Sequence, residues 1–512
     1  MRIEHVTFFK KECRKGGTGT VDVEVSITIK MEVVTTVPAA KNSRADAPGI
    51  KRKSRVYSHS EEGLTESLYE ENYIVTTSSK RLISNSGLSI VGGLLRQADF
   101  RREVNRMGGT KMLTHRNYDC IVAMIALLCQ GKIAYDDIRE MQEDHSFYCR
   151  ALKINSIASP ETLRQRIDHL GKELFQGDLL QHANERMLSG GRADITPAFT
   201  GHYPLDIDIT VHDNSNTRKE GVEWTYLGVT GYAPIYAYLG EEGFIVDAQL
   251  RPGSEHSQNE KTLSFLRDSI RRSHRLLPLG SKILVRMDSG NDAKDNIVIC
   301  AEEGADYLIK RNLRRESPES WLITARNLDD HPQEPRDGKR IYIASTWRDL
   351  GLDKPVRIVI QATECTMDRK GQILLVPDIE VETWWTSMDS MDEKDIIELY
   401  HQHALCEQFH AEIKSDIGLE RFPSGYFYTN GAILKMAMMA YNILRMIGVR
   451  ALEISGKPLT RHEVMRLRVK TVMQRLVYIA GHVTEHARSN YLDLGRSSLW
   501  RSAFRSVYLA YV

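Results

Sequence analysis

Four side chains able to carry charge or donate hydrogen bonds recur along one predicted helix. They are Tyr400, His403, Glu407 and Lys414. At about 100° per residue, these positions fall within roughly 60° of each other on one helical face. An acid, a phenol, an imidazole and an amine on one face are more than amphipathicity requires. A solvated charged stripe is the competing interpretation of the same spacing.

Three aspartates are associated with two predicted strands that precede this helix. The segment LDIDIT carries Asp206 and Asp208 on one face, because strand side chains alternate. An acid in a central strand is costly to bury unless it is paired or binds a metal, whereas on an edge strand it can face water. Asp288 ends the aliphatic segment ILVRM and precedes a glycine turn, where α/β sheets present functional groups. We therefore expect functional carboxylates at both strands.

The predicted elements around these acids alternate strands and helices. The region from residue 204 to residue 310 predicts strand, strand, strand, helix, strand, helix, strand. This order is that of a ribonuclease-H-like sheet, although other α/β folds also fit it. In a ribonuclease-H-like sheet the first and fourth strands are neighbours, so Asp208 and Asp288 would lie side by side, with Glu407 brought against them. Like charges this close repel unless a cation neutralises them, and hard oxygen ligands favour Mg²⁺.

Further segments surround that region. Short β-like pieces between residues 314 and 386 predict a β-rich insertion. A helical pattern precedes the sheet, and one of its helices is predicted to start with Ser159 as the N-cap and Pro160 at the first helical position. Near the N-terminus, Val21–Val37 alternates as strands do, and Pro38–Ser60 is typical of a linker or mobile arm. We expect a basic C-terminal helix from Thr460 to Arg488, in which Arg468 and Arg475 would neutralise DNA phosphates. The predicted divisions are 1–75 (arm with strands), 76–195 (helical module), 196–313 and 387–450 (core), 314–386 (insertion) and 451–512 (basic helical tail). The fold class is thus an α/β ribonuclease-H-like domain with a β-rich insertion, an all-helical module before it and a basic helical tail after it.

The segments around Asp208 (D-x-T), Asp288 (R-x-D-S-G) and Glu407 resemble bacterial DDE insertion-sequence transposases in order, spacing and intervening insertion. The family signature Y-(2)-R-(3)-E-(6)-K is matched by Tyr400, Glu407 and Lys414, with His403 where the pattern has Arg. Asp206 competes with Asp208 for the role of first acid, and the D-x-T spacing favours Asp208.

The resemblance implies an activity and partners. Asp208, Asp288 and Glu407 would hold Mg²⁺ or Mn²⁺, cleave element ends and join 3′-hydroxyls to target DNA. Tyr400, His403 and Lys414 would contact DNA. The expected partners are double-stranded DNA with terminal inverted repeats, target DNA and a second copy of the chain on DNA. Trp384 and Trp385 would either stack on a flipped base or pack in the core. A nuclease without strand transfer and a non-catalytic DNA-binding relative are the alternatives.

Composition sets broad limits on these interpretations. The 512 residues predict more than one domain, and 41% hydrophobic with 27% charged residues is typical of a soluble protein. The longest apolar run noted, Ile121 to Cys129, is too short to cross a bilayer, so no membrane partner is expected. Seven scattered cysteines without a CxxC pair suggest a reducing compartment. The resemblance implies that this compartment is the bacterial cytoplasm, in association with the nucleoid. The net charge is only +1, but basic residues cluster at Lys51–Arg55 and in the C-terminal tail.

Overall fold

The computed structural model describes residues 2–10, 25–32, 79–107, 116–255, 259–454, 462, 464–487 and 489–512. The chain divides into two units, Met1–Thr77 and Ser78–Val512. The basic cluster Lys51–Arg55, the predicted linker Pro38–Ser60, Arg461 and Arg488 lie outside the described residues.

The first unit contains two paired strands. Strand β1 (Arg2–Lys10) pairs antiparallel with β2 (Val25–Glu32). The predicted strand region Val21–Val37 therefore contains a strand over its central part.

The second unit begins with a short strand and a set of helices. The bounds are β3 (Arg81–Ile83), α1 (Leu88–Gln97), α2 (Arg101–Arg106), α3 (Asn117–Leu128), α4 (Arg139–Glu143), α5 (His145–Leu152), α6 (Pro160–Gln176) and α7 (Leu179–Gly190), with a 3₁₀ turn at Tyr135–Ile138. Helix α6 starts as the sequence predicts: the Ser159 side chain accepts a hydrogen bond from the Thr162 amide, and Pro160 occupies the first turn. Helix α3 is buried on every side, which explains its continuous apolar sequence.

The next elements along the chain form the first part of the predicted core. They are β4 (Tyr203–Ile209), β5 (His212–Asp213), β6 (Glu223–Trp224), β7 (Thr230–Tyr232), β8 (Ile235–Leu239) and β9 (Phe244–Gln249), followed by α8 (Glu260–Leu276), β10 (Ile283–Met287), a 3₁₀ turn at Ser289–Asn291, α9 (Lys294–Glu302) and β11 (Asp306–Lys310). Strands β5, β7 and β6 form a small separate sheet in that order.

A large mixed sheet is the centre of the unit. Its order through these strands is β11-β10-β4-β8-β9. Strands β4, β10 and β11 are parallel, whereas β8 is antiparallel to both of its neighbours. In chain order β4 and β10 are the first and fourth of these five strands, and they are hydrogen-bonded neighbours in the sheet. This pairing brings their acidic ends together.

The predicted insertion extends this sheet. It consists of α10 (Pro318–Leu328), β12 (Gln333–Arg336), β13 (Lys339–Arg348), β14 (Val356–Met367) and β15 (Ile373–Thr386). Helix α10 was not predicted, although Ser317 caps it and Pro318 begins it, a recognisable helix start. Strand β15 pairs with β11, so the insertion strands and the core strands form one nine-stranded sheet.

Helices cover both faces of the sheet. They include α8, α9 and α10 on one face and, on the other, α11 (Glu393–His401), a 3₁₀ turn (Gln402–Ala404), α12 (Leu405–Ala411), a π segment (Glu412–Asp416) and α13 (Phe427–Ile454). Among the described residues, one helical stretch, Phe427–Glu453, is long and apolar enough to span a membrane, but nearly all of it is buried within the protein. The longest apolar stretch is therefore this core helix and not Ile121–Cys129. Asn430, Lys435 and Asn442 interrupt the apolar sequence of this helix.

The C-terminal region differs from the predicted basic helix Thr460–Arg488. Its described elements are α14 (Val469–Val472), a π segment (Met473–Val477), β16 (Gly481–His486), β17 (Ser489–Leu494) and α15 (Arg501–Tyr511). Strand β16 lies between β17 and β3 in a three-stranded sheet. Among the described residues of Thr460–Arg488, only Val469–Val477 is helical. The helical prediction was wrong after Val477 because polar and apolar residues alternate there with the period of a strand.

Candidate active site

The acids lie on the sheet face that α11 and α12 cover. Asp206 on β4 is directly opposite Arg286 on β10, and Ile207 is opposite Met287. One step further along this register, Asp208 comes opposite Asp288, which directly follows β10. Because side chains alternate along a strand, the aspartates share one face of the sheet. Ile207 lies on the opposite face, in the hydrophobic core that α8, α9 and α10 cover.

Asp206 is neutralised by two cationic partners. Its carboxylate accepts two hydrogen bonds from the Arg286 guanidinium, at 2.6 and 2.7 Å, and lies 2.9 Å from His403 Nδ1. Both Asp206 and Arg286 are almost fully buried. Burial alone would raise the pKa of Asp206, but Arg286 and His403 outweigh it and lower the pKa to about 2. This group is a compensated buried ion pair.

Among the described residues, no arginine or lysine forms an ion pair with Asp208 or Asp288. Asp208 Oδ2 lies 3.0 Å from His410 Nε2, and its other oxygen accepts a hydrogen bond from the Ile209 amide. Burial opposes ionisation of Asp208, but the hydrogen bond and charge of His410 lower its pKa. The pKa of Asp288 is raised, first by burial and then by the negative charge of Asp208. Two carboxylates therefore repel each other at the ends of adjacent strands.

The helix facing these acids holds them with two histidines. His403 contacts Asp206, and His410, seven residues later, contacts Asp208 and accepts or donates at 2.9 Å to the Tyr238 hydroxyl. Glu407 lies between them, one helical turn from each, and is exposed. The structure describes no hydrogen bond between Glu407 and either Asp208 or Asp288. The fold brings the two aspartates together, whereas Glu407 stays exposed on the covering helix and forms no described hydrogen bond to either of them.

Tyr400 and Lys414 lie on either side of this group. The Tyr400 ring is 5.7 Å from the His403 ring, and burial together with the charge of Asp288 raises its pKa. The Lys414 amine is 3.3 Å from the Thr210 hydroxyl, just beyond the end of β4, and 3.8 Å from a Glu420 carboxylate oxygen. Both side chains are half-buried and adjoin the strand end that carries Asp208.

Residues 68–511 match the family model of the transposase DDE domain, group 1. The chain belongs to this family. No curated protein matches the sequence. One similar solved structure is the cryo-EM structure of the piggyBac transposase synaptic complex with hairpin DNA, with a TM-score of 0.38 and 11% identity, covering 78% of this chain and 80% of that chain.

One feature of this DDE transposase differs from expectation, and another decides between two interpretations of the sequence. His403 is buried against Asp206, so it is not exposed to contact a DNA phosphate as predicted. Trp384 and Trp385 are also buried, Trp384 completely, and the Trp385 indole donates a hydrogen bond to Asp292 at 2.7 Å. Neither indole can stack on a base in this structure, and core packing, the competing interpretation, describes both.

Sequence reasoning missed two residues that organise the transposase site. Arg286 neutralises Asp206 and also donates to the Leu399 carbonyl at 2.6 Å, which joins the strand to the covering helix. Its signal was a lone arginine inside the apolar run ILVRM. His410 was missed although its seven-residue spacing from His403 places both on one helical face.

The chemistry of the donor set decides where a metal would fit. Asp206, His403 and Cys406 lie close enough together to hold an ion. However, the Arg286 guanidinium already occupies both oxygens of Asp206, and a thiol is a poor ligand for a hard cation. Asp208 and Asp288 instead offer oxygen atoms and an excess negative charge, which suit a divalent cation such as Mg²⁺.

Proposed function

We propose that this DDE transposase cleaves DNA ends and joins the 3′-hydroxyls to target DNA, using Asp208, Asp288 and Glu407 as its catalytic carboxylates. The observation that carries this proposal is the pair of aspartates at the ends of two adjacent parallel strands, where the charge of Asp208 raises the pKa of Asp288. Asp208 is preferred over Asp206 because Asp206 is sealed in an ion pair and cannot reach a substrate. The strand order supports a ribonuclease-H-like core.

Asp208 and Asp288 would hold the divalent cations, Mg²⁺ or Mn²⁺. When bound, two such ions supply activation of a nucleophilic water or 3′-hydroxyl and stabilisation of the leaving oxygen. The hydrogen bond from the Ile209 amide and the contact with His410 fix the Asp208 carboxylate, and the Asn291 side chain donates to Asp288 at 2.7 Å. These contacts orient the oxygens before any ligand arrives, which reduces the cost of reorganisation.

Glu407 would be the third carboxylate. Its helix is fixed to β4 through His403 and His410, which contact Asp206 and Asp208. Small movements of this helix would therefore change the distance between Glu407 and the aspartates. Tyr400 and Lys414 would bind the DNA phosphates next to the reacting one. We assign His403 a positioning role, because its ring holds Asp206 and not the substrate.

The proposed substrates are the inverted-repeat ends of an insertion sequence, bound by two copies of the chain. The test is an assay of cleavage and strand transfer on the DNA that flanks the coding sequence, with Mg²⁺ present. Asp208→Asn, Asp288→Asn and Glu407→Gln should each lower cleavage by about 1000-fold or more, since metal-assisted stabilisation is worth several kcal/mol, while end binding stays near normal. The matched control is Glu398→Gln, an exposed acid on the same run of helices.

Three outcomes would contradict the proposal. Full activity of Asp208→Asn alongside a folded but inactive Asp206→Asn would mean that the wrong first acid was chosen. Full activity of Glu407→Gln would remove Glu407 from the site. Cleavage without joining would favour a metal-dependent nuclease.

A further inference from the structure

The end of β6 and the short turn that follows it expose three large apolar side chains within four residues. Trp224 is 66% exposed, Tyr226 69% and Leu227 62%. Single exposed apolar residues are ordinary on protein surfaces, but a cluster of this kind marks a surface that binds something.

The turn is held rigidly by its own backbone. Thr225 is buried, and both its amide and its hydroxyl donate to the Val229 carbonyl, at 2.9 and 2.8 Å. Gly228 has a φ of +76°, a left-handed conformation that favours glycine, and its amide donates to the Thr225 carbonyl. The exposed rings are therefore presented in a defined geometry and need little ordering on binding.

This turn adjoins the aspartate pair. The Tyr226 hydroxyl donates a hydrogen bond to the Ile209 carbonyl at 3.3 Å. The Ile209 amide in turn donates to the Asp208 carboxylate at 2.7 Å. The pKa of Tyr226 is raised by burial of its hydroxyl and by the charges of Asp208 and Asp288. One end of the tyrosine therefore touches the acidic strand end, while most of its ring faces solvent.

We propose that Trp224 and Tyr226 form a stacking platform for an unpaired DNA base next to the phosphate that the acids act on. The inference rests on the proposed function, because a phosphate at Asp208 and Asp288 places the base of its own nucleotide nearby. Aromatic rings stack on bases whatever their sequence. Lys414, at the same strand end, supplies positive charge for the adjoining phosphate. Trp384 and Trp385, for which the resemblance offered base stacking as one of two interpretations, are buried and do not form this platform.

The probe is a short DNA duplex containing one unpaired 2-aminopurine, compared with the same duplex fully paired. Ca²⁺ replaces Mg²⁺ so that binding is measured without cleavage. Stacking quenches 2-aminopurine fluorescence, so the wild-type protein should quench the unpaired probe. The double variant Trp224→Ala/Tyr226→Ala should lose the quenching and bind this probe roughly 5- to 100-fold more weakly, the range expected for loss of base–aromatic stacking. Its affinity for the paired duplex should stay unchanged.

Two sets of variants serve as controls. Trp347→Ala and Tyr491→Ala remove aromatic side chains that are each 50% exposed on other strands, β13 and β17, and should behave as wild type. Tyr226→Phe keeps the ring and should keep the quenching. Thermal unfolding of each variant identifies any loss of fold.

The outcomes separate this inference from the proposed function. Undiminished quenching by the double variant, or equal loss of affinity for both probes, would overturn the platform while the cleavage assay still stands. A change in oligomeric state of the DNA-free double variant would instead assign the turn to contact with a second copy of the chain. A wild-type protein that binds neither probe would overturn both proposals.

Discussion

Two layers of charged residues lie one above the other on the same pair of strands, and they are built in opposite ways. In the inner layer, Asp206 meets the guanidinium of Arg286 and the imidazole of His403. In the outer layer, two residues further along the chain from each of the paired positions, the negative charge of Asp208 raises the pKa of Asp288. The inner layer contains matched charges, whereas the outer layer leaves negative charge in excess.

The difference separates a structural acid from a functional one without reference to any family. A buried charge is tolerated when a partner and hydrogen bonds compensate it, as at Asp206. Repulsion between neighbouring carboxylates has no structural benefit, and such perturbed groups cluster at functional sites. Asp206 and Asp208 carry the same side chain and lie two residues apart, so their partners alone distinguish them.

The largest expected effect comes from breaking the inner layer. Asp206→Ala leaves the Arg286 guanidinium buried without its carboxylate partner, and such losses destabilise a protein by about 3–5 kcal/mol. We expect that decrease in the free energy of unfolding, measured by urea denaturation. The double variant Asp206→Leu/Arg286→Met removes both charges and should recover much of the loss. A single variant as stable as wild type would show that the inner pair contributes nothing.

The next effect concerns divalent cations. If Mg²⁺ binds the folded outer layer, it should stabilise the protein by about 2.7 kcal/mol at 100 times its dissociation constant. The measurement is the unfolding free energy with Mg²⁺ and with EDTA. Asp208→Asn and Asp288→Asn should each reduce the Mg²⁺ increment, whereas Glu398→Gln should keep it. An increment that survives in both aspartate variants would assign the cation to another site.

A third prediction compares the pH dependence of the two layers in EDTA. The pKa of Asp206 is lowered to about 2 from 3.8, so its contribution to stability is present above pH 3.8 and is lost as the pH falls through that window. The pKa of Asp288 is raised, so its ionisation costs stability, and this cost appears as the pH rises above 3.8. Asp288→Asn should therefore be more stable than wild type at neutral pH, and Asp206→Asn less stable. Both differences should shrink in acid. If the differences in unfolding free energy from wild type have the same sign for both variants at neutral pH, the assignment is contradicted.

Local patterns predicted those parts of the fold that local chemistry determines. Ser159 and Pro160 start α6 because capping needs only neighbouring residues, and strand β4 follows from alternation in LDIDI. The adjacency of Asp208 and Asp288 followed from the predicted order of strands. What a pattern could not supply was the partner of each side chain. Arg286 and His403 are 80 and 197 residues from Asp206, so only the folded chain pairs them.

The insertion and the C-terminal region show the same limit. Strand β15 joins the core sheet through β11, which no pattern within residues 314–386 reveals. The basic residues between Thr460 and Arg488 led to the prediction of a single DNA-binding helix. Their charges alone do not reveal which residues of this segment pack against the rest of the protein. Val469 and Val472 pack inward, and strand β16 then pairs with β3, almost 400 residues earlier in the chain.

The smallest expected effect concerns the basic residues of that C-terminal region. Arg468 and Arg475 were both predicted to neutralise DNA phosphates. The Arg468 guanidinium donates to both oxygens of the buried Asp416, at 2.6 and 2.9 Å. Arg475 is exposed, and the structure describes no hydrogen bond or ion pair for it. Arg475 is therefore available to DNA, whereas Arg468 already has a partner.

Each phosphate contact contributes about 0.9 to the slope of log affinity against log salt concentration. Arg475→Ala should lower that slope by up to about 0.9, and Arg468→Ala should leave it nearly unchanged while decreasing stability. The loss should be equal for element ends and unrelated DNA, because phosphate contacts carry no sequence information. Arg102→Ala, an exposed arginine on α2, is the matched control. An unchanged slope in a folded Arg475→Ala variant would mean that this segment serves packing alone, through Val469, Val472 and Leu476, which are all buried.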